Sequence, residues 1–258
     1  MKPLLVRGRA LAGGTTPAVC APLVAHDAPG LLAEAAAVAA LGPDLLEWRV
    51  DFFEGIARTG EVVELASAIK RAAGGLPLLF TRRSAREGGQ PIALDEAAVA
   101  ALCRAVCAGG GVDLVDYEMD HDPAHVAAVR EAARTHGVGL VLSFHDFQGT
   151  PPVEALLGRL RQAAALGADV AKLAVMPRDM GDVLNLLSAT WQASQSLPIP
   201  LISMAMGPLG AVTRLAGGAF GSALSFGAGQ AASAPGQMPI AELRQGLTLL
   251  QRAMERRA

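Results

Sequence analysis

Lysine is scarce in this chain: only Lys2, Lys70 and Lys172 occur in 258 residues, and apart from histidine every other basic residue is arginine. Cysteine is equally scarce. Cys20, Cys103 and Cys107 include no CxxC pair of the metal-binding kind, and their odd number argues against a disulfide framework. A reducing, cytoplasmic setting is the expectation. No segment supplies the long uncharged span that a membrane helix requires, and the apolar start Met1-Lys2-Pro3-Leu4-Leu5-Val6-Arg7 is broken too soon for a signal peptide. The charge excess that marks nucleic-acid binding is missing as well. The formal net charge is -2, with 18% charged and 52% hydrophobic residues, a composition that folds around a core. These absences predict a soluble protein whose partner is a small molecule, with neither nucleic acid nor membrane involved.

Against that scarcity, the position of Lys172 stands out. It lies inside the apolar run Asp169-Val170-Ala171-Lys172-Leu173-Ala174-Val175, where a charge has no ordinary structural reason to be. Burial disfavours a lysine's charged form, and the free amine that results can attack a carbonyl. Lys172 is therefore a candidate Schiff-base nucleophile. The structural alternative is a lysine whose stem packs along a strand while its head reaches water or a carboxylate.

Short runs rich in Val, Ile and Leu alternate with longer Ala/Arg/Glu-rich stretches, the pattern of repeated βα units around a parallel sheet. The spacing predicts strands near 18–25, 44–50, 76–81, 112–118, 138–143, 169–175, 199–204 and 222–226. Eight such units predict one α/β domain over 1–258, a closed (βα)8 TIM barrel. The stretch from Leu4 to Leu11, before the turn Gly13-Gly14-Thr15-Thr16-Pro17, is expected to form an N-terminal β-hairpin closing the barrel bottom. An open doubly wound sheet is the alternative, although no glycine-rich phosphate fingerprint follows the first strand.

In such a barrel the catalytic groups sit at the carboxyl ends of the strands, and there the polar residues are dense. The second strand ends Leu46-Glu47-Trp48-Arg49-Val50-Asp51, whose period of two puts Glu47, Arg49 and Asp51 on one, inward face. The third ends Phe80-Thr81-Arg82-Arg83-Ser84, with Glu87-Gly88-Gly89 beyond it. The fourth carries Asp116 and Glu118, and the fifth ends Ser143-Phe144-His145-Asp146-Phe147. Asp51, Asp116 and Glu118 are read as buried ion-pair partners that fix barrel packing. His145 reads equally as core or as acid/base, whereas His26, His121, His125 and His136 read as surface or loop residues.

Taken in order, these blocks resemble the type I 3-dehydroquinate dehydratases, the Schiff-base enzymes of the shikimate pathway. Further matches are Thr150-Pro151, Met176-Pro177, Ser203-Met204-Ala205-Met206-Gly207 leading to Arg214-Leu215-Ala216-Gly217, and Ala232-Ser233-Ala234-Pro235-Gly236-Gln237. The resemblance runs nearly end to end. It implies a homodimeric barrel that converts 3-dehydroquinate to 3-dehydroshikimate and water without a metal or organic cofactor. Lys172 would form an imine with the C3 ketone, an electron sink that acidifies the C2 proton. His145 would be the general acid/base, its near-neutral pKa suiting both directions, and Glu87 would orient it or raise its basicity. By the same match Arg214 would take the substrate carboxylate as a fixed fork, with help from Ser233 and Gln237. Glu47, Arg49 and Arg83 would address the ring hydroxyls, and Met204 and Met206 would pack on the ring. The segment from Ala231 to Gln237 would close over the substrate and exclude water.

Two positions depart from the family pattern. Pro22 stands in the first strand where many relatives have serine, and Arg82 replaces an aromatic residue, so that Arg82 and Arg83 could compete for the substrate. A class I aldolase on the same barrel is the alternative function, with Gly217-Gly218 and the glycines from Gly221 to Gly229 as a phosphate site in the last two loops. A barrel that binds a metabolite without catalysis is the third.

Overall fold

The computed structural model describes residues 1–231 and 233–255. Ala232 of the expected closing segment and residues 256–258 of the expected domain lie outside the described residues. A short antiparallel hairpin, β1 (Leu5–Val6) and β2 (Arg9–Ala10), precedes eight parallel strands. These are β3 (Ala18–Leu23), β4 (Leu45–Arg49), β5 (Leu78–Thr81), β6 (Leu114–Glu118), β7 (Gly139–Asp146), β8 (Val170–Val175), β9 (Leu201–Ala205) and β10 (Leu224–Phe226). Helices α1 (Ala28–Ala39), α2 (Thr59–Ala72), α3 (Glu96–Ala108), α4 (Pro123–His136), α5 (Val153–Ala165), α6 (Met180–Ser196), α7 (Gly207–Ala216) and α8 (Ile240–Glu255) follow the strands in turn. The neighbour order β10-β3-β4-β5-β6-β7-β8-β9 is that of a (βα)8 barrel. Among the described residues no helix is long and apolar enough to cross a membrane.

The seam between β9 and β10 is the looser one. It carries a single parallel bridge, Leu201 to Ser222, and one short backbone bond in which Ala223 N–H donates to the Leu201 carbonyl at 2.7 Å. Hydroxyls satisfy the backbone that a full ladder would pair: Ser203 N–H donates to Ser222 Oγ at 3.0 Å and Ala205 N–H to Thr213 Oγ1 at 3.0 Å.

Local signals set the helix ends. Asp27, Asp95, Asp122 and Asp179 each accept a backbone N–H from the first turn of the following helix, and Gly137 ends α4 at φ 65°, where glycine avoids the Cβ clash. The strands have two apolar faces because both are covered. Outward residues such as Leu46, Trp48, Phe80, Val115 and Leu142 pack under the helices. Inward residues at the strand starts, among them Leu45, Leu79, Leu114, Val141 and Val170, form a second cluster that Leu4 and Val6 of the hairpin region seal from below. Arg7 ties the hairpin to the barrel through Asp113, 2.7 Å away, which Lys70 also engages. The hairpin thus closes the barrel bottom as its sequence predicts.

Strand limits differ from the predicted ones mainly at β7. It runs three residues past 143 because its ladder to β8 continues through His145↔Ala174 and Asp146↔Val175. Pro22 is accommodated inside β3, since the ladder from β3 to β10 stops at Cys20.

Candidate active site

On five of the eight strands, β4 to β8, the barrel interior turns polar two residues beyond the inner apolar position, on the same face. Leu45 is followed by Glu47, Leu79 by Thr81, Leu114 by Asp116, Val141 by Ser143 and Val170 by Lys172. Lys172 is the centre of this layer. Its Nζ donates to Asp116 Oδ2 at 3.0 Å and to Glu47 Oε1 at 3.4 Å, and lies 4.8 Å from the centre of the Phe226 ring. Thr81 Oγ1 donates to the same Glu47 oxygen at 2.9 Å. The side chain is 4% exposed, so its head does not reach water; it meets carboxylates, as the structural alternative also has it. Burial alone would raise the Asp116 carboxyl, but the Arg83 and Lys172 cations and the Ser143 hydroxyl outweigh it and hold it below the usual range.

One layer higher, His145 meets Glu87. The His145 backbone N–H donates to Glu87 Oε2 at 3.1 Å and its Nδ1 lies 2.9 Å from the same oxygen. That oxygen also accepts from Arg83 Nη1 at 3.4 Å. An oxygen serving these donors assigns the Nδ1 proton to His145 and leaves Nε2 with the free lone pair. Burial shifts both partners away from charge. It pushes the Glu87 carboxyl up to about 8, with Glu118 and Asp116 adding to the rise, and pushes the His145 imidazolium well below its usual range, assisted by Arg83, Lys172 and Arg49.

Arg83 links the two layers. Its Nη2 donates to Asp116 Oδ1 at 2.7 Å and its Nη1 to Ser143 Oγ at 2.8 Å and Glu118 Oε1 at 3.2 Å. Arg82, by contrast, faces the outer layer and pairs with Glu96 in the first turn of α3, so it does not compete with Arg83 for the interior. Asp51, Asp116 and Glu118 all stand in buried ion pairs, with Arg49, Lys172 and Arg83 respectively. His121 differs from its surface reading: its side chain is 9% exposed, with Nε2 3.1 Å from Glu118 and 3.2 Å from Glu96. A loop position after β6 is legible from sequence, but its inward turn depends on two carboxylates distant in the chain.

Arg49 is held bidentately by Asp51 and also donates to the Ser233 carbonyl at 3.4 Å. Ser233 and Gln237 bond to one another, with Ser233 N–H donating to Gln237 Oε1 at 2.9 Å. Arg214 is buried in the loose seam with uncharged partners, the Phe226 carbonyl at 3.3 Å, the Pro235 carbonyl at 3.0 Å and the Met204 sulfur at 4.0 Å, and its Nε has no partner among the described residues. Burial without a protein anion lowers its guanidinium to about 10.

A single cavity at the carboxyl ends of the strands, open to solvent, collects most of these groups. Glu47, Arg49, Arg83, Glu87, His145, Lys172, Met204, Met206, Ser233 and Gln237 line it. Arg214 does not: it stands behind the wall, 4.0 Å from the Met204 sulfur. The sequence reading missed Phe147, Ala174 and Phe226, which also line the cavity, because apolar residues at strand ends carry no signal separating wall from core. The glycines of the aldolase alternative divide between the two barrel ends: Gly227 and Gly229 follow β10 at the carboxyl end, packed against Ile240 and Val38 and outside the cavity lining. Gly217, Gly218 and Gly221 precede β10 at the opposite end of the barrel, where Gly218 abuts Pro17 and Gly221 abuts Ser194, so they form no phosphate cradle over the cavity.

Fold and site together define a class: an α/β barrel enzyme with a buried amine and an imidazole–carboxylate pair facing one pocket. The profile of the type I 3-dehydroquinase family matches residues 19–254. The 3-dehydroquinate dehydratase of Albidiferax ferrireducens is 55% identical over 253 residues, 98% of this chain and 96% of that protein. The crystal structure of the 3-dehydroquinate dehydratase from Geobacillus kaustophilus superposes with a TM-score of 0.94 at 50% identity, covering 99% of this chain and 98% of that one. The type I enzyme from Clostridium difficile, solved with covalent modified comenic acid, superposes with a TM-score of 0.92 at 35% identity over 98% of each chain. The chain belongs to the type I 3-dehydroquinase family and is a lyase.

Proposed function

We propose that this lyase dehydrates 3-dehydroquinate to 3-dehydroshikimate, a step of the shikimate pathway, through an imine on Lys172 with His145 as general acid and base. One observation carries the reading: a buried amine and an imidazole with a free Nε2 face one cavity from adjacent strands, in the register Ser143↔Lys172 and His145↔Ala174. Lys172 gives up one ammonium proton to His145 Nε2 and, as free amine, adds to the C3 ketone, the same proton being available to the carbinolamine that forms. The carbinolamine takes up a proton and expels water, leaving a protonated imine. His145 Nε2 then removes the C2 proton as the electron pair moves into the imine, and the imidazolium returns a proton to the departing C1 hydroxyl, which leaves as water. A second water hydrolyses the imine and restores the amine, so the net loss is one water.

The remaining residues serve binding. Arg214 is a buried guanidinium whose partners among the described residues are two carbonyls and the Met204 sulfur, with no anion, and its unpaired Nε suits a substrate carboxylate once Met204 moves aside. Glu47, Arg49 and Arg83 face the ring hydroxyls, Met204 and Met206 pack on the ring, and Ser233 and Gln237 close over it from the loop. No metal or organic cofactor enters this chemistry. The unpaired, buried Cys20, Cys103 and Cys107 support a cytoplasmic setting. Met180, Leu184 and Trp191 share one face of α6 and are at least half exposed, beside Leu209 and Val212 of α7, which supports a homodimer.

The test is intact-protein mass spectrometry after borohydride reduction in the presence of 3-dehydroquinate, with peptide mapping. An adduct on Lys172 supports the imine and the substrate together. Dehydration without any adduct removes the imine mechanism, and an enzyme inactive on 3-dehydroquinate removes the substrate.

A further inference from the structure

We propose that Phe226 is a catalytic residue of this site, its ring face holding the positive charge of the imine formed on Lys172. Lys172 Nζ stands 4.8 Å from the centre of the Phe226 ring, within the ~6 Å over which a cation is drawn to an aromatic face. Phe226 is buried, lines the cavity, and is fixed by the β10 ladder opposite Cys20. Exclusion of water strengthens the attraction there.

The contact differs in kind from those made by the two carboxylates. As an ammonium, Nζ has donors enough for both Asp116 at 3.0 Å and Glu47 at 3.4 Å. Condensation removes that capacity. The amine adds to the ketone carbon, one proton is taken up and one water leaves, and the resulting iminium keeps a unit positive charge with a single N–H. One carboxylate therefore loses its hydrogen bond. The ring needs no N–H, so its attraction persists when the hydrogen-bonding support falls, and it favours the iminium over the neutral free amine and carbinolamine from which it forms. Nor can the ring take the remaining proton, as Asp116 or Glu47 could.

The inference rests on the imine reading given above, and the test separates the two. Site-specific incorporation of 4-fluoro-, 3,5-difluoro- and 3,4,5-trifluorophenylalanine at position 226 drains the ring face stepwise at nearly constant shape, with Phe226→Leu as the end point. The Phe226 carbonyl that receives Arg214 Nη1 is main chain and survives every replacement. The fraction of enzyme trapped by borohydride at fixed 3-dehydroquinate, and kcat/KM, should fall with each fluorine and reach a loss of about 2- to 30-fold, the range one cation–π contact supplies. Melting temperature should stay constant across the fluorinated series. A flat series with the adduct still formed overturns the role of Phe226 and leaves the imine intact. No adduct on the unsubstituted enzyme overturns the imine, and the Phe226 role with it.

Discussion

Asp116 and Lys172, far apart in the chain, meet in the barrel interior with Oδ2 3.0 Å from Nζ, and the other Asp116 oxygen is 2.7 Å from Arg83. One carboxylate thus pairs with the buried amine and a buried guanidinium at once. Its pairs are almost free of water, the condition under which losing one partner costs most.

Asp116→Asn keeps the shape and removes the anion. Two buried cations then lose their shared partner, so urea unfolding should show a stability loss of about 3–5 kcal/mol. Lys172→Ala should cost less, because Asp116 keeps Arg83 and the Ser143 hydroxyl at 2.6 Å. Equal losses in the two variants would show that the amine, rather than the guanidinium, is the partner that matters for folding.

Much of this arrangement is legible in the sequence, for a geometric reason. A period of two along each strand puts Glu47 above Leu45 and Lys172 above Val170, so the inward polar layer can be read without coordinates. What crosses between strands cannot. Asp116 reads as a packing partner because its amine lies 56 residues away, and Phe226 goes unnoticed because its cation lies on another strand. The β7 extension to Asp146 is set by pairing with β8, and the inward turn of His121 by Glu118 and Glu96. Arg214 is identified by motif, yet its place behind Met204 follows from the loose seam.

His145→Ala should separate imine formation from elimination. Lys172, Asp116 and Glu47 remain, so an adduct should still be trapped by borohydride, whereas turnover should fall by at least the roughly 10²–10⁴ that one acid/base group supplies. Stopped-flow absorbance and trapped mass report the two steps separately. Near-normal turnover would reduce His145 to packing.

The apolar face of α6 gives a prediction about assembly. Leu184, 63% exposed, sits between Met180 and Trp191 on that face. Leu184→Glu should shift sedimentation from dimer to monomer while leaving the barrel folded by circular dichroism. A dimer that persists in Leu184→Glu would assign the interface to another surface.

Glu87 makes stability depend on pH in a defined direction. Its folded value of about 8 lies above its ordinary carboxylate value, so between the two the native state binds a proton that the unfolded chain has lost. Stability from this group is full at acidic pH and declines as pH rises to about 8, by at most about 1.4 kcal/mol per pH unit. His145 has the opposite sign: its lowered value contributes stability that is lost only as pH falls below its ordinary range near 6.5. The window from about 6.5 to 8 therefore isolates Glu87 from His145. Glu87→Gln, which mimics the protonated carboxyl and cannot ionise, should flatten the downward slope in that window relative to the unsubstituted enzyme. Urea midpoints at several pH values measure it. Parallel slopes in the two proteins would mean that Glu87 is already ionised beside Arg83, with the imidazole held by a carboxylate throughout.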